Sequence, residues 1–81
     1  LDCAQLGFST RRFGPGEEGK EHAHDDGQEE VYFVVEGGMT ATVGDDTVEL
    51  EPGDALRVAP DTTRQLINGD EESFIVIASA P

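Results

Sequence analysis

Apolar residues in this chain never hold the 3.6-residue spacing of an amphipathic helix for more than a turn. They gather instead in short β-rich runs cut by turn residues every eight to twelve positions. The runs are 6–13 (LGFSTRRF), 30–36 (EVYFVVE), 39–43 (MTATV), 47–50 (TVEL), 55–59 (ALRVA), 64–68 (RQLIN) and 73–79 (SFIVIAS). Between them lie Gly14-Pro15-Gly16, Gly37-Gly38, Gly44-Asp45-Asp46, Glu51-Pro52-Gly53-Asp54, Pro60-Asp61 and Asn68-Gly69-Asp70. In Glu51-Pro52-Gly53-Asp54 the proline presets φ at the second turn position, and the glycine accepts the positive φ that a type II turn needs at the third. The rhythm predicts an all-β fold, a small antiparallel β-barrel. Residues 31–35 and 74–77 are apolar without alternation, so these two runs are expected at the centre of the sheet, with cover on both faces.

At 81 residues the chain makes one domain, spanning 1–81, and a small one. Domains of this size bury only about 60% of the surface their unfolded chains expose, so a disulfide, a metal or a second subunit is expected to help. Cys3 is the sole cysteine, which removes an internal disulfide and suits a reducing, cytoplasmic compartment. A homodimer is therefore expected, with the second face of the central strands as its contact and the five aromatics, Phe8, Phe13, Tyr32, Phe33 and Phe74, divided between barrel interior and subunit interface. The net charge of −13 comes from 18 acidic residues against five cations, and such a surface repels nucleic acid and anionic membrane, neither of which is an expected partner. No apolar run reaches the ~18 residues of a membrane-spanning helix, and no signal-peptide pattern opens the chain. The start at Leu1, without methionine, is what a trimmed or partial chain would show.

Candidate chemistry is concentrated between Gly16 and Gly37. His22 and His24 lie two apart, a spacing that points both imidazoles to one side of a strand. Glu30 shares its strand parity with Tyr32 and Val34, and Glu29 shares the opposite parity with Val31 and Phe33, so only one of the two can face the histidines. Two imidazoles and a carboxylate form a facial set that leaves coordination positions open and suits Fe, Mn, Ni, Co or Zn as a divalent ion. Taken alone, HxH in an acidic loop is more often solvent-facing polarity than a site. There is no Walker loop, no GxGxxG, no GxSxG and no zinc-type cysteine pair, and nothing ties Cys3 to either histidine as a nucleophile.

The spacing resembles the first motif of the cupins: a glycine, five residues, HxH, three or four residues, a glutamate, six residues and a glycine. Here Gly16 is followed after five residues by His22, and Glu30 after six by Gly37, while the gap from His24 to Glu30 is five. Glu29 would restore the usual gap but lose the spacing to Gly37, which makes Glu30 the expected ligand and Glu29 the reserve. The family's second motif, a PGD turn followed by P-x-G-x-x-H and an asparagine, is matched by Pro52-Gly53-Asp54 and approached by the segment from Ala55 to Asn68. Ala59 and Asp61 stand where proline and glycine are usual, and Arg64 stands where the resemblance implies a fourth metal ligand, histidine.

An inward Arg64 sets a fixed positive charge beside any metal and, at ~5 Å and an effective dielectric of ~20, repels it by several kcal/mol. Two readings follow. In one, His22, His24 and Glu30 hold a divalent metal, Arg64 binds the carboxylate or phosphate of a small anionic, oxygen-rich molecule, and the resemblance implies dioxygenase, isomerase or decarboxylase chemistry with Tyr32 or Arg64 as catalytic candidates. In the other, Arg64 pairs with Glu30 or Glu29, and the domain is a metal-free or non-catalytic binding module. Met39 and Gln65 are candidates for the barrel mouth.

Overall fold

The computed structural model describes residues 7–19 and 29–80. Seven strands follow in chain order: β1 (Gly7–Phe13), β2 (Glu29–Glu36), β3 (Met39–Val43), β4 (Asp46–Leu50), β5 (Ala55–Val58), β6 (Arg64–Ile67) and β7 (Ser73–Ala80). They form a four-stranded sheet in the order β1-β7-β2-β5 and a three-stranded sheet in the order β4-β3-β6, antiparallel throughout. Each expected run is therefore a strand, with ends displaced by a residue or so. The two unbroken apolar runs, β2 and β7, are the central strands of the larger sheet. No helix is long and apolar enough to cross a membrane among the described residues.

The sheets face each other across a core of Phe13, Tyr32, Val34, Met39, Ala41, Leu50, Val58, Leu66 and Ile75. Alternation explains which residues enter it. On β2 the even positions Glu30, Tyr32 and Val34 point inward, and register carries this parity across to Val58 and Leu56 on β5 and to Ser79, Ile77 and Ile75 on β7. On β6, Arg64 and Leu66 are the buried pair, opposite Val43 and Ala41 of β3. The segment after β1 joins the smaller sheet: Glu18 bridges Ile67, the Gly19 amide donates to the Leu66 carbonyl at 2.7 Å, and the Asn68 amide donates to the Glu17 carbonyl at 2.9 Å. That strap closes one side of the barrel.

Two turns show how local chemistry sets the register. In Glu51–Asp54 the Asp54 amide donates to the Glu51 carbonyl at 2.9 Å and Gly53 has φ +93°, the type II geometry the sequence predicts. Between β2 and β3, Gly37 has φ +80° and lies so close to β7 that a Cβ would overlap the Ser73 hydroxyl and the Glu72 carbonyl. Only glycine fits both demands.

Candidate functional site

The polar cluster inside one end of the barrel is built on β2 and β6. Glu30 is 8% exposed and Arg64 1%. Arg64 Nη1 donates to Glu30 Oε1 at 2.8 Å, and the Tyr32 hydroxyl donates to the same oxygen at 2.6 Å. The rest of the guanidinium is held by the turn before β6: Nε donates to the Thr62 carbonyl at 2.9 Å, and Nη2 donates to the Ala59 carbonyl and, at 3.3 Å, to that of Pro60. Four protein acceptors thus surround one side chain that has five N–H donors. The forked geometry that could grip a ligand carboxylate is spent on the protein itself.

Tyr32 sits one strand register from Glu30 on the same face, and its position makes it a poor acid. Burial first, then the bond to Glu30 and the charge of that carboxylate, push the phenol well above its ordinary value of 10, with Arg64 pulling weakly the other way. At neutral pH it is a fixed hydrogen-bond donor. A cavity of about 80 Å³ adjoins the cluster, walled by Phe13, Leu66 and Ile77 as well as by Glu30, Tyr32 and Arg64. A larger cleft of about 500 Å³ opens at the opposite end, beside Gly38, Leu50 and Asn68. We place the candidate site at the smaller space, because that is where the buried charged groups converge.

Glu29 points the other way. Its carboxylate accepts from Arg57 Nε at 2.6 Å on the outer face, and that bond, with the attraction of the same guanidinium, holds it below the usual carboxylate range. The parity argument that separated the two glutamates is thus reproduced in the fold. Met39 is buried in the core at the edge of the larger cleft, and Gln65 faces outward, donating to the Gly19 carbonyl at 3.0 Å, so neither lies at the mouth beside Arg64. His22, His24 and Cys3 lie outside the described residues.

A divalent ion is implied by the family motif, and the described residues fit it poorly. The one carboxylate expected to ligate it already has a guanidinium at 2.8 Å, and Arg64 cannot lose its proton to make room. A cation added beside this pair meets a charge already neutralised. What the sequence did not show is the seat of Arg64: the carbonyls of Ala59, Pro60 and Thr62 are backbone atoms, which carry no residue signature.

A second buried polar group lies at the other end. Asn68 Nδ2 donates to the carbonyls of Gly14 and Glu71, each at 2.7 Å, and Ser73 Oγ lies 2.6 Å from Asn68 Oδ1 and 2.6 Å from the Gly38 carbonyl. The asparagine was visible as part of the second motif, whereas Ser73 carried no signal.

Comparison with known proteins agrees with this architecture. The family model described as a cupin domain matches residues 9–79. No curated protein matches the sequence. Among solved structures, a cupin protein from Bacteroides fragilis superposes with a TM-score of 0.88 at 26% identity, covering 95% of this chain and 66% of its own. KdgF from a Halomonas species gives 0.88 at 22% identity, covering 95% and 69%, and a sugar phosphate isomerase of the cupin superfamily from Silicibacter pomeroyi gives 0.82 at 22%, covering 96% and 52%. The chain thus spans just under two thirds of the Bacteroides protein and about half of the isomerase. With its motif, its two antiparallel sheets and a family match over nearly its whole length, this chain belongs to the cupin family.

Proposed function

We propose that this domain is a small-molecule-binding cupin in which Arg64 takes the place of a metal as the positive partner of Glu30. The observation that carries this reading is the buried ion pair itself, Arg64 Nη1 to Glu30 Oε1 at 2.8 Å, with the guanidinium seated on three backbone carbonyls. A buried carboxylate needs a compensating charge, and this one has it from a residue whose charge is permanent. The ligand is a small, oxygen-rich molecule that enters beside Phe13, Leu66 and Ile77 and offers hydroxyl groups to the carboxylate wall. Sugar phosphates and hydroxy or keto acids are the classes to try first, since one structural neighbour is described as a sugar phosphate isomerase. Such a site binds and orients. Tyr32 spends its one O–H on Glu30 and so orients that carboxylate, which supplies the acceptor.

A second reading keeps the metal: His22, His24 and Glu30 as ligands, with Arg64 or Tyr32 touching a bound anionic substrate. What favours it is the spacing of the family's first motif, in which His22, His24 and Glu30 stand between Gly16 and Gly37. When bound, the ion would supply Lewis-acid polarisation of a substrate oxygen.

The experiment is a thermal-shift series on chelator-treated protein. The first reading expects Mn, Fe, Co, Ni and Zn to leave wild type unmoved, Arg64→His to gain stability with at least one of them, and one of the oxygen-rich compounds to raise the wild-type midpoint. Wild-type protein that holds near one equivalent of metal, and whose midpoint falls when it is stripped, would overturn it in favour of the second.

A further inference from the structure

The guanidinium of Arg64 is committed to Glu30 and to the turn before β6, yet a second arginine borders the same cavity. Arg11 lies on β1 directly opposite Ile75 of β7, whose side chain is fully buried. Residues opposite each other on neighbouring strands share a face, so Arg11 belongs to the inner side of the larger sheet. Its side chain is still 44% exposed, because β1 is an edge strand, and it forms part of the wall of the cavity of about 80 Å³. Arg12 and Arg57, by contrast, share the outer face with Phe74 and Val31.

Two contacts set the direction of Arg11. Its Nη2 donates to Glu17 Oε2 at 2.9 Å, and its guanidinium carbon lies 4.2 Å from the centre of the buried Phe13 ring. The strap after β1 does not depend on the first of these. Glu17 Oε1 already accepts from the Gly14 amide at 3.0 Å, and backbone bonds join Gly16 to Gly69 and Asn68 to Glu17. What the bond does is hold the guanidinium over Phe13 at the cavity wall. A guanidinium has five N–H donors in a fixed fork, and one is used here. The rest have no protein partner among the described residues, and they include one complete parallel pair.

We propose that Arg11 is the anion-recognising residue of this site, and that the ligand is a short hydroxy monocarboxylate, its carboxylate on Arg11 and its hydroxyl donating to Glu30. This rests on the small-molecule reading above and narrows it. A parallel pair of N–H donors fits the two oxygens of a carboxylate, and Glu30, neutralised by Arg64, does not repel it. Charge favours a monoanion, since a phosphate dianion meets about twice the repulsion from a chain of −13. Size agrees: about 80 Å³ is far below the ~300 Å³ at which drug-sized pockets begin, so a few non-hydrogen atoms enter and a whole sugar phosphate does not. The inner wall decides between hydroxyl and keto groups. Tyr32 has given its one proton to Glu30 and Arg64 has engaged four of its five donors, so the wall mainly accepts, and a hydroxyl can donate to it.

Nuclear magnetic resonance titrations of the chelator-treated full chain at fixed salt test the proposal, with glycolate, lactate, pyruvate, glycerol and glucose 6-phosphate as probes. Glycolate or lactate should bind wild type more tightly than the other three. Arg11→Met should weaken that binding about tenfold or more, the loss expected when a hydrogen bond to a charged group goes, with unchanged far-UV circular dichroism. Arg11→Lys, which keeps the charge without the fork, should recover part of it, and Arg57→Met on the outer face should leave it unchanged. The order of the probes on wild type tests the claim even where a variant does not fold. Hydroxy acids that bind wild type and Arg11→Met equally, or tighter binding of pyruvate or the sugar phosphate, overturn the assignment and leave the small-molecule reading standing. Wild type that binds none of the five overturns both.

Discussion

The barrel holds a buried polar cluster at each end, and they solve the burial problem differently. At one end Asn68 and Ser73 make a neutral network, in which an amide and a hydroxyl satisfy the carbonyls of Gly14, Glu71 and Gly38. At the other, Arg64 and Glu30 make a charged one, with Tyr32 as a third member. The neutral network ties loops together: residues 13–14, 37–38 and 68–73 meet there, and its parts serve the chain path. The charged pair also holds a loop, because Arg64 donates to the carbonyls of Ala59, Pro60 and Thr62, bonds that a hydrophobic pair of the same volume could not make. Its location beside a cavity is what makes it the candidate site.

The largest effect is expected from breaking the charged cluster on one side. Arg64→Met leaves Glu30 buried without its cation and should cost about 3–5 kcal/mol in urea or thermal unfolding. The neutral cluster should be less sensitive: Asn68→Ala strands the carbonyls of Gly14 and Glu71, while the Ser73 hydroxyl keeps the Gly38 carbonyl, for about 1–3 kcal/mol, an amount that does not change between pH 5 and 9 because no member titrates.

Tyr32→Phe removes one hydrogen bond and should cost about 1 kcal/mol at neutral pH. It also separates the clusters by pH. The folded-state value of Tyr32 lies above its ordinary 10, so the folded protein holds the phenolic proton more tightly than the unfolded chain. Its contribution is therefore complete below pH 10 and is lost as pH rises from there toward the folded value. Wild type should lose stability above pH 10 more steeply than the phenylalanine variant.

The smallest effect is at the outer face. Glu29 is held below its ordinary 4.5 by Arg57, so its contribution is present above that value and fades as pH falls through the lower folded one. Arg57→Gln should blunt this part of the acid limb slightly and leave the neutral-pH midpoint nearly unmoved, because the pair is solvent-exposed and screened.

How much of this was legible beforehand depends on which atoms carry the interaction. The strands could be read from apolar runs and turn chemistry, and the central places of β2 and β7 followed from their lack of alternation. The opposite directions of Glu29 and Glu30 followed from parity alone. Arg64 could be aimed at the site only through its resemblance to the histidine position of the cupin motif, because no local pattern tells an inward arginine from an outward one. Its seat on Ala59, Pro60 and Thr62 was hidden, since backbone carbonyls have no residue signature. So was the contact of Ser73 with Gly38, 35 positions apart in sequence, which depends on how the loops at that end close. His22 and His24 lie outside the described residues, and their place in the site stays part of the proposal.

The most direct measurement is a double-mutant cycle on Arg64→Met and Glu30→Gln, read as unfolding free energy with and without chelator. If Arg64 has taken over the charge that a metal would supply, the two side chains should couple by about 2–3 kcal/mol, the double variant should recover most of the loss, and chelator should change nothing. A coupling below about 0.5 kcal/mol, or stability that chelator removes from wild type, would contradict this, leaving Glu30 as the partner of something other than Arg64.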